Sequence, residues 1–470
     1  MLCFDPLTAA MPGPAIRAWH LAEQLAGDCE VVLAGTAGAD RTSPRMDVRP
    51  VAGVQLEGLV AWADSVFAPT SVVRRHPVVV ESGKPLCIDM YIPTHLENLE
   101  ALGRPGDAEH VAAVEHQVSV INDDLRSGDF FLCASERQRD FWLGSLASLG
   151  RLNPANYAAD PTLRRLIDVV PFGLDPTPPP IGGGELRRLF PAIGADDPVV
   201  IWGGGVYNWF DPVSLLRAVD RLRAERPDIR LVFLGMRNPN PDIPEMRVAA
   251  ELRAESDRLG LTGSHVFFNE GWVPYEQRAG YLADADIGAS THLAHVETHF
   301  SFRTRVLDYL WAGLPMVLTA GDTLSEGVEA AGLGVTVPPG DPAAIAAAIS
   351  RLLADPPPRG AVQSYGARFS WERVADPLVA FAAAPRRAPD REEAAKRAVP
   401  AEPSGPGSTE APGPAAHPTS TPAEVGGVLE ERLVSLGRRA ARQITPRLRR
   451  LPPPVRRWGG RLLRRSGPVG

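Results

Sequence analysis

Two arginines, Arg303 and Arg305, stand where an apolar helical pattern begins, between an upstream acid, Glu297, and a downstream acid, Asp308. Cations are unfavourable at the start of a helix, because the unpaired N–H groups there already create a positive potential. An anion bound by both arginines would resolve this conflict. The alternative is a surface pair between Arg305 and Asp308, worth about 0.3–0.5 kcal/mol. The stretch therefore indicates either an anion site or an ordinary solvated helix surface.

The composition is typical of a globular protein with room for two hydrophobic cores. The chain has 470 residues, of which 44% are hydrophobic and 22% are charged, as in ordinary soluble proteins. Only Lys84 and Lys396 are lysines, and the other 47 basic residues are arginines. Any contact with phosphate therefore falls mainly to arginine.

The cysteine pattern and the lack of targeting signals favour the cytoplasm. The four cysteines form no CxxC pair, which predicts buried thiols in a reducing compartment. No apolar run approaches 18 residues, so no membrane-spanning helix is expected. The first residues lack the basic and apolar segments of a signal peptide. We therefore expect a cytoplasmic protein, either free or peripheral at the inner face of the cell membrane.

Charge is divided unevenly along the chain. The formal net charge is −7, and residues 428–470 carry twelve arginines against Glu430 and Glu431, which leaves −17 for the preceding residues. This basic tail also contains leucines and Trp458, which favours docking on an anionic membrane at about 1 kcal/mol per arginine. The alternative is a solvated tail. A nucleic-acid arm is disfavoured, because the tail lacks an aromatic platform and the rest of the chain is acidic.

Short apolar runs alternate with helical patterns in two successive series. Runs such as DFFLCAS and RLVFLG are typical of buried strands in a parallel sheet. The pattern predicts an α/β protein with two Rossmann-like domains, residues 1–176 and residues 185–384, facing a central cleft. A disordered linker rich in Pro, Ala and Ser is predicted at 385–427, followed by the basic amphipathic tail at 428–470.

The second series resembles glycosyltransferase family 4. The resemblance is clearest between Ala285 and Ala346, where ADIGAST, VLDYLWAGLP, the acid of GDTLSE and PPGDPAAIAAAI follow one another in the family's order. The first series adds MPGPAIRAWHLAEQLA, which is similar to the family's glycine-containing loop and the helix after it. Together these segments cover most of residues 1–385.

The resemblance implies a GT-B fold and a retaining glycosyltransferase. Residues 1–176 would face the acceptor, and residues 185–384 would bind a nucleotide sugar. The expected reaction moves a sugar from a nucleoside diphosphate to a glycan or lipid-linked acceptor, as in cell-envelope or exopolysaccharide synthesis, with no metal or other cofactor. The alternative is a non-catalytic protein that keeps the fold and binds a glycan or a nucleotide.

The sequence departs from the family's pattern at two places. The loop that usually carries a basic pair reads WGGGVYNWFDP, and Phe300 stands where the earlier of two glutamates is expected. The resemblance implies that Asp308, at the later glutamate's position, holds the ribose hydroxyls. Glu297 would contact the donor sugar, and Arg303 and Arg305 would replace the missing basic pair at the diphosphate.

Further candidates for the donor side are a loop arginine, an acid and three glycines. Arg237 follows a predicted strand, and Glu326 matches the family's acid after a glycine turn. Gly13, Gly203 and Gly204 would let the backbone approach the donor. A solvated arginine, a helix-stabilising acid and plain turn glycines are the alternatives.

Histidines are the remaining candidates for chemistry. His95 follows a predicted strand in CIDMYIPTHLE and would lie near the acceptor, although a simple loop histidine remains the alternative. His292, His295 and His299 are spaced by four or fewer residues, but no third-ligand pattern accompanies them, so no metal site is expected.

Overall fold

Three parallel β-sheets flanked by helices make up the residues that a computed structural model describes, namely 1–101, 107–179, 182–237 and 245–398. These residues fall within one compact unit, Met1–Val399. No helix in these ranges is long and apolar enough to cross a membrane. The α/β class predicted from the sequence is confirmed.

The first half of the chain builds two of the sheets, in the orders β1-β2-β3 and β4-β5-β6-β7, and β1 lies beside β4. The strands are β1 (Leu2–Cys3), β2 (Val32–Gly35), β3 (Asp47–Pro50), β4 (Val66–Pro69), β5 (Leu86–Asp89), β6 (Phe130–Cys133) and β7 (Ile167–Val169). The helices are α1 (Gly13–Leu25), α2 (Val54–Trp62), α3 (Val72–Arg75), α4 (Pro77–Glu81), α5 (Thr94–Ala101), α6 (Ala108–Ser127), α7 (Glu136–Ser148) and α8 (Pro154–Ala159).

The second half builds a six-stranded sheet in the order β10-β9-β8-β11-β12-β13. Its strands are β8 (Val199–Gly205), β9 (Arg230–Gly235), β10 (Val266–Phe268), β11 (Ile287–Ser290), β12 (Met316–Thr319) and β13 (Gly334–Val337). The helices are α9 (Glu185–Leu189), α10 (Pro212–Leu222), α11 (Arg247–Arg258), α12 (Arg278–Ala283), α13 (Val296–Phe300), α14 (Thr304–Ala312), α15 (Ser325–Ala330), α16 (Pro342–Ala354), α17 (Arg359–Gly366), α18 (Trp371–Val374), α19 (Asp376–Ala383) and α20 (Pro389–Ala398).

The order of the six strands fixes where a ligand can enter. The chain runs outward from β8 to β10, then returns to the other side of β8 and continues from β11 to β13. The connections therefore diverge between β8 and β11, and in open parallel sheets the crevice at this switch point, outside the carboxyl ends of the strands, is where ligands bind.

Tyr309 of α14 holds the two strands at the switch point together. Its hydroxyl accepts a hydrogen bond from the Gly203 N–H (2.9 Å) and lies 2.8 Å from the carbonyl of Ala289 and 3.1 Å from that of Ile201. A Cβ at Gly288 would overlap the tyrosine ring, so β11 passes close over it. Burial raises the pKa of Tyr309 to about 12, so the hydroxyl keeps its proton and can donate.

The first residues of the predicted disordered linker contain a helix. Helix α20 lies within residues 385–427, and the buried carboxylate of Asp129 accepts hydrogen bonds from the Ala388 N–H (2.9 Å) and from Arg391 (2.7 Å). Composition alone could not show that this segment finds buried partners more than 250 residues upstream. The remainder of the linker and the basic tail lie outside the described residues, and the boundaries at 176, 185 and 384 stay predictions.

We expect Tyr309→Phe to lower the free energy of unfolding by about 1–3 kcal/mol, because it leaves the buried Gly203 N–H and a strand carbonyl without a partner. Chemical denaturation of the two proteins would measure the difference. Tyr157→Phe is the matched control, since Tyr157 is 59% exposed and its change should stay within about 0.5 kcal/mol. Equal effects of the two substitutions would show that the hydroxyl of Tyr309 does not hold the strands.

Candidate active site

The carboxyl end of β8 exposes backbone at Gly204. Gly204 is exposed and has φ +81°, a conformation that favours glycine, and a Cβ there would meet nothing within 4 Å. Gly203, in contrast, is buried against Tyr309, so its role is to admit the tyrosine ring. Of the two glycines predicted to face phosphate, only Gly204 is thus open to a ligand.

Arg305 lies against the carboxyl end of β8. Its side chain is buried between two aromatic rings, with the guanidinium carbon 4.2 Å from the Trp202 ring centroid and 4.1 Å from that of Phe210. Nη2 donates to the carbonyl of Gly205 at 2.7 Å, whereas the buried Nη1 has no hydrogen-bond partner among the described residues. Burial lowers the pKa of Arg305 to about 10, so the group stays charged at neutral pH.

Arg303 precedes α14 and joins the same cluster. Its guanidinium donates two hydrogen bonds to Glu297, of 2.8 and 2.7 Å, and its central carbon lies 4.7 Å from the centroid of Phe210. Its buried Nε has no partner within the described part of the chain. The structure thus brings both predicted arginines to one phenylalanine ring, each with a buried N–H group left over.

Glu297 forms a buried ion pair with Arg303. The acid is 1% exposed, and both of its oxygens accept hydrogen bonds from the guanidinium. His295 caps α13 by accepting from the Thr298 N–H at 3.2 Å and lies 3.6 Å from Glu297. This geometry makes Glu297 the residue that orients Arg303, and its contact with a donor sugar stays a prediction.

Asp308 pairs with Arg278 and not with either arginine of the pair. Arg278, at the start of α12, donates to it at 2.9 Å and stacks on Tyr275 (3.4 Å) and Trp311 (4.4 Å). Asp308 retains about one quarter of its side-chain exposure, so a ribose contact remains sterically open. Arg278 was not singled out by the sequence, because no motif marks it and its partner lies 30 residues downstream.

The other predicted donor residues are exposed and lie on three different parts of the chain. Glu326 is exposed on the first turn of α15 and forms an ion pair of 3.4 Å with Arg137 of α7. Arg237 is exposed just after β9, and Gly13 is exposed at the start of α1. The structure does not gather these three residues around the arginine pair, and their contacts with a donor stay predictions.

His95 lies on α5 in an aromatic setting. Its ring stacks on Phe141 with 5.6 Å between the ring centroids, and the Trp142 ring lies at the same distance from it. Phe141 also packs against Phe300, with 4.6 Å between centroids. Burial lowers the pKa of His95 to about 4, so the ring is neutral at physiological pH. The buried Nδ1 has no partner among the described residues.

Glu97 follows His95 by two residues on α5, and the sequence analysis did not single it out. Helix α5 packs against α13, and burial together with the negative charge of Glu297 raises the pKa of Glu97 to about 8, while Arg303 opposes the shift. The carboxyl is therefore largely protonated at neutral pH. Glu297 and Arg303, the charges that act on it, lie 200 or more residues downstream, so no local pattern could have found it.

The histidine series shows no metal-binding arrangement. Buried His292 lies 3.8 Å from Asp322, and His295 caps α13 as described. No group of three or more His, Cys, Asp or Glu side chains that could hold a metal ion occurs within the described ranges. His299 contributes its backbone carbonyl to Arg137 at 3.2 Å.

Sequence comparisons match part of the chain to known glycosyltransferases. Residues 197–355 match the family described as glycosyl transferases group 1. A D-inositol 3-phosphate glycosyltransferase from Geodermatophilus obscurus is 31% identical over 250 residues, which are 52% of each chain. Its counterpart from Stackebrandtia nassauensis is 29% identical over 255 residues, 50% of this chain and 53% of the relative. The matches thus span about half the length of these curated relatives.

Solved structures match a larger share of the chain. Anabaena HepE, in complex with UDP and glucose, superposes with a TM-score of 0.59 over 82% of this chain and 99% of that one, at 15% identity. This likeness concerns the fold, which is that of the GT-B glycosyltransferases. The GT-B fold that the resemblance predicted is therefore confirmed, and residues 197–355 match the model of the glycosyl transferases of group 1.

Proposed function

We propose that the protein is a retaining glycosyltransferase that moves a hexose from a nucleoside diphosphate to a glycan or lipid-linked acceptor, in the synthesis of the cell envelope or an exopolysaccharide. One observation carries this proposal. Arg303 and Arg305 are both buried, Arg305 binds the end of β8 beside the exposed backbone of Gly204, and each keeps one buried N–H group that has no partner among the described residues.

A diphosphate fits the arginine pair for electrostatic reasons. When the bond between the sugar and the phosphate breaks, the electron pair stays on the diphosphate, and fixed cations and N–H groups stabilise that charge. Among the described residues no side chain caps the start of α14, so its first N–H groups would add donors beside Arg303. Arg305 is buried without an anionic partner among the described residues, which is unfavourable, and a bound diphosphate would offset that cost.

The proposed donor is a nucleotide sugar, with uridine nucleotides as the first choice. Anabaena HepE has been solved with UDP and with UDP-glucose, which supports this choice. Asp308 would bind the ribose hydroxyls from the Arg278 side of the crevice. Glu297, by holding Arg303 with two hydrogen bonds, would fix the guanidinium before the donor arrives, so little reorganisation would accompany the reaction.

Retention of configuration is proposed from the family resemblance. The acceptor hydroxyl would bond to the anomeric carbon as the bond to the leaving phosphate breaks, and a phosphate oxygen on the same face would take the hydroxyl proton. Such a step needs no enzyme nucleophile. We propose that it also needs no metal, because Arg303 and Arg305 would supply the positive charge. The expected location is the cytoplasm, with transient attachment to the membrane.

A second candidate is a non-catalytic protein that binds a nucleotide or a glycan. Two observations favour it: the loop after β8 contributes no cation, and both oxygens of Glu297 are already bound to Arg303. The two candidates share nucleotide binding but differ in turnover. Release of nucleoside diphosphate from a nucleotide sugar would therefore separate them.

We expect one of UDP, GDP, dTDP and ADP to stabilise the protein in a thermal-shift screen, by about 2.7 kcal/mol at 100 times its dissociation constant. Arg305→Gln should lower the affinity for that nucleotide by about 10–100-fold, the effect of one charged hydrogen bond. The double variant Glu297→Gln/Arg303→Gln should lower the affinity by a similar factor without leaving a buried carboxylate unpaired.

Arg226→Gln serves as the control for this screen, because Arg226 pairs with Asp228 on the exposed surface. Its nucleotide affinity should equal that of the unchanged protein, and chelation by EDTA should leave the stabilisation intact. Failure of every nucleotide to stabilise the protein would remove the proposed function. A nucleotide that binds equally well to the arginine variants would place the diphosphate elsewhere.

We propose that the basic tail, residues 428–470, attaches the protein to anionic membranes. Vesicles containing phosphatidylserine should retain the full chain, and a chain ending at residue 398 should bind more than about tenfold less, since each nearby arginine contributes about 1 kcal/mol. Phosphatidylcholine vesicles are the control, and added salt should weaken the attachment. Equal retention of both chains, or displacement by duplex DNA at lower concentration than by vesicles, would argue against a lipid surface.

A further inference from the structure

Residues 206–211, between β8 and α10, carry a stacked pair of aromatic rings, Tyr207 and Trp209. The two rings are parallel to within 4°, with 4.8 Å between their centroids, and both are half-buried. Tyr207 covers one face of the indole, so the solvent-exposed part of Trp209 lies at the opposite face or at the ring edge. Such a rigid aromatic surface suits a ligand that has one flat, apolar face.

Contacts place this pair of rings beside the two arginines. A Cβ at Gly205 would overlap the Tyr207 ring, so the ring lies directly against that residue, whose carbonyl accepts from Arg305 at 2.7 Å. The ring of Phe210, which contacts both guanidinium groups, has its centroid 6.1 Å from those of Tyr207 and Trp209. A ring attached to an anion at the arginines would therefore lie within reach of the indole.

Hydrogen bonds fix the backbone at Trp209 and just after it. The Trp209 carbonyl lies 3.0 Å from Nε2 of His295, and because Nδ1 of His295 accepts from the Thr298 N–H, the neutral ring carries its hydrogen on Nε2 and donates it. The Asp211 N–H donates to the Thr291 carbonyl at 2.9 Å, and the Thr291 hydroxyl donates to the Asp211 carbonyl at 2.6 Å. The aromatic surface is thus held in place before a ligand arrives, which lowers the entropy cost of binding.

The partners of the segment indicate which end of a nucleotide sugar would meet Trp209. Asp308, the proposed ribose ligand, is tied to α12 through Arg278, whereas Trp209 is tied to His295, the cap of α13. A diphosphate carries the ribose at one end and the sugar at the other. With the ribose at Asp308, the end that carries the sugar would point toward α13 and Trp209.

We propose that the indole face of Trp209 binds the apolar face of the transferred hexose. This inference rests on the proposed function, because it takes the diphosphate to lie at Arg303 and Arg305. The carbon–hydrogen groups on one face of a pyranose ring leave water when they pack on an aromatic ring, and the negative π-face attracts them. Both oxygens of Glu297 already bind Arg303, so packing on Trp209 would supply recognition that no free carboxylate of Glu297 provides.

The test compares the affinity for a diphosphate with the affinity for its sugar conjugate. UDP, GDP, dTDP and ADP are titrated calorimetrically beside their conjugates of glucose, galactose, mannose and N-acetylglucosamine, and the conjugate that binds most tightly is carried into the variants. Trp209→Ala should lower the affinity for this conjugate about tenfold, because buried apolar area is lost, and leave the affinity for the diphosphate within about twofold. Trp209→Phe keeps a smaller ring and should lower the affinity for the conjugate about threefold.

Trp62→Ala is the matched control, because Trp62 is 48% exposed on α2, and it should leave both affinities unchanged. Trp209→Phe gives the same readout if Trp209→Ala does not fold. A ring that only orders the segment or stacks on the nucleobase would weaken both ligands equally. Equal weakening, or an unchanged ratio of the two affinities, would overturn the role of Trp209 while diphosphate binding persists. Absence of diphosphate binding in the unchanged protein would instead overturn the proposed function, and this inference with it.

Discussion

The burial of two guanidinium groups around Phe210 is the constraint on which the rest of the site depends. Removing an ion from water costs several kcal/mol, and the cost must be offset by close partners. Arg303 has the two oxygens of Glu297, and Arg305 has the carbonyl of Gly205 and two aromatic rings. Within the described part of the chain each arrangement still leaves one buried N–H group without a partner, and a bound anion would satisfy it.

The surrounding elements are arranged to satisfy this constraint. Helix α13 is only five residues long, and its cap, His295, holds the turn that carries Glu297 back to Arg303. The hydroxyl of Tyr309 fixes α14 against β8 and β11, so the arginines at the start of α14 stay in register with the loop after β8. The segment WGGGVYNWFDP contains no cation, and the positive charge beside it comes from the arginines at the start of α14.

The sequence predicted the fold better than the pairing within the site. Alternating apolar runs predicted parallel sheets, because buried strands need nothing beyond local hydrophobicity. The same reading left Arg305 and Asp308 as a possible helical pair, yet Arg305 binds Gly205 and Asp308 binds Arg278. These partners are 30 to 100 residues away, so only the folded topology brings them together. Arg303 and Glu297 are near neighbours, but a break between two helices hides their spacing from any periodic pattern.

The protonation state of Glu97 completes the electrostatic balance. With Arg303 and Arg305 charged and Glu297 ionised, the cluster carries one net positive charge, whereas a sugar diphosphate carries about −2, one charge per phosphate. An ionised Glu97 would cancel the positive charge and repel that donor. Its pKa of about 8 keeps it largely neutral at neutral pH, so the acid can lie beside the arginines without opposing an anion. The first N–H groups of α14 and the remaining N–H groups of Arg303 and Arg305 would then balance the remaining negative charge.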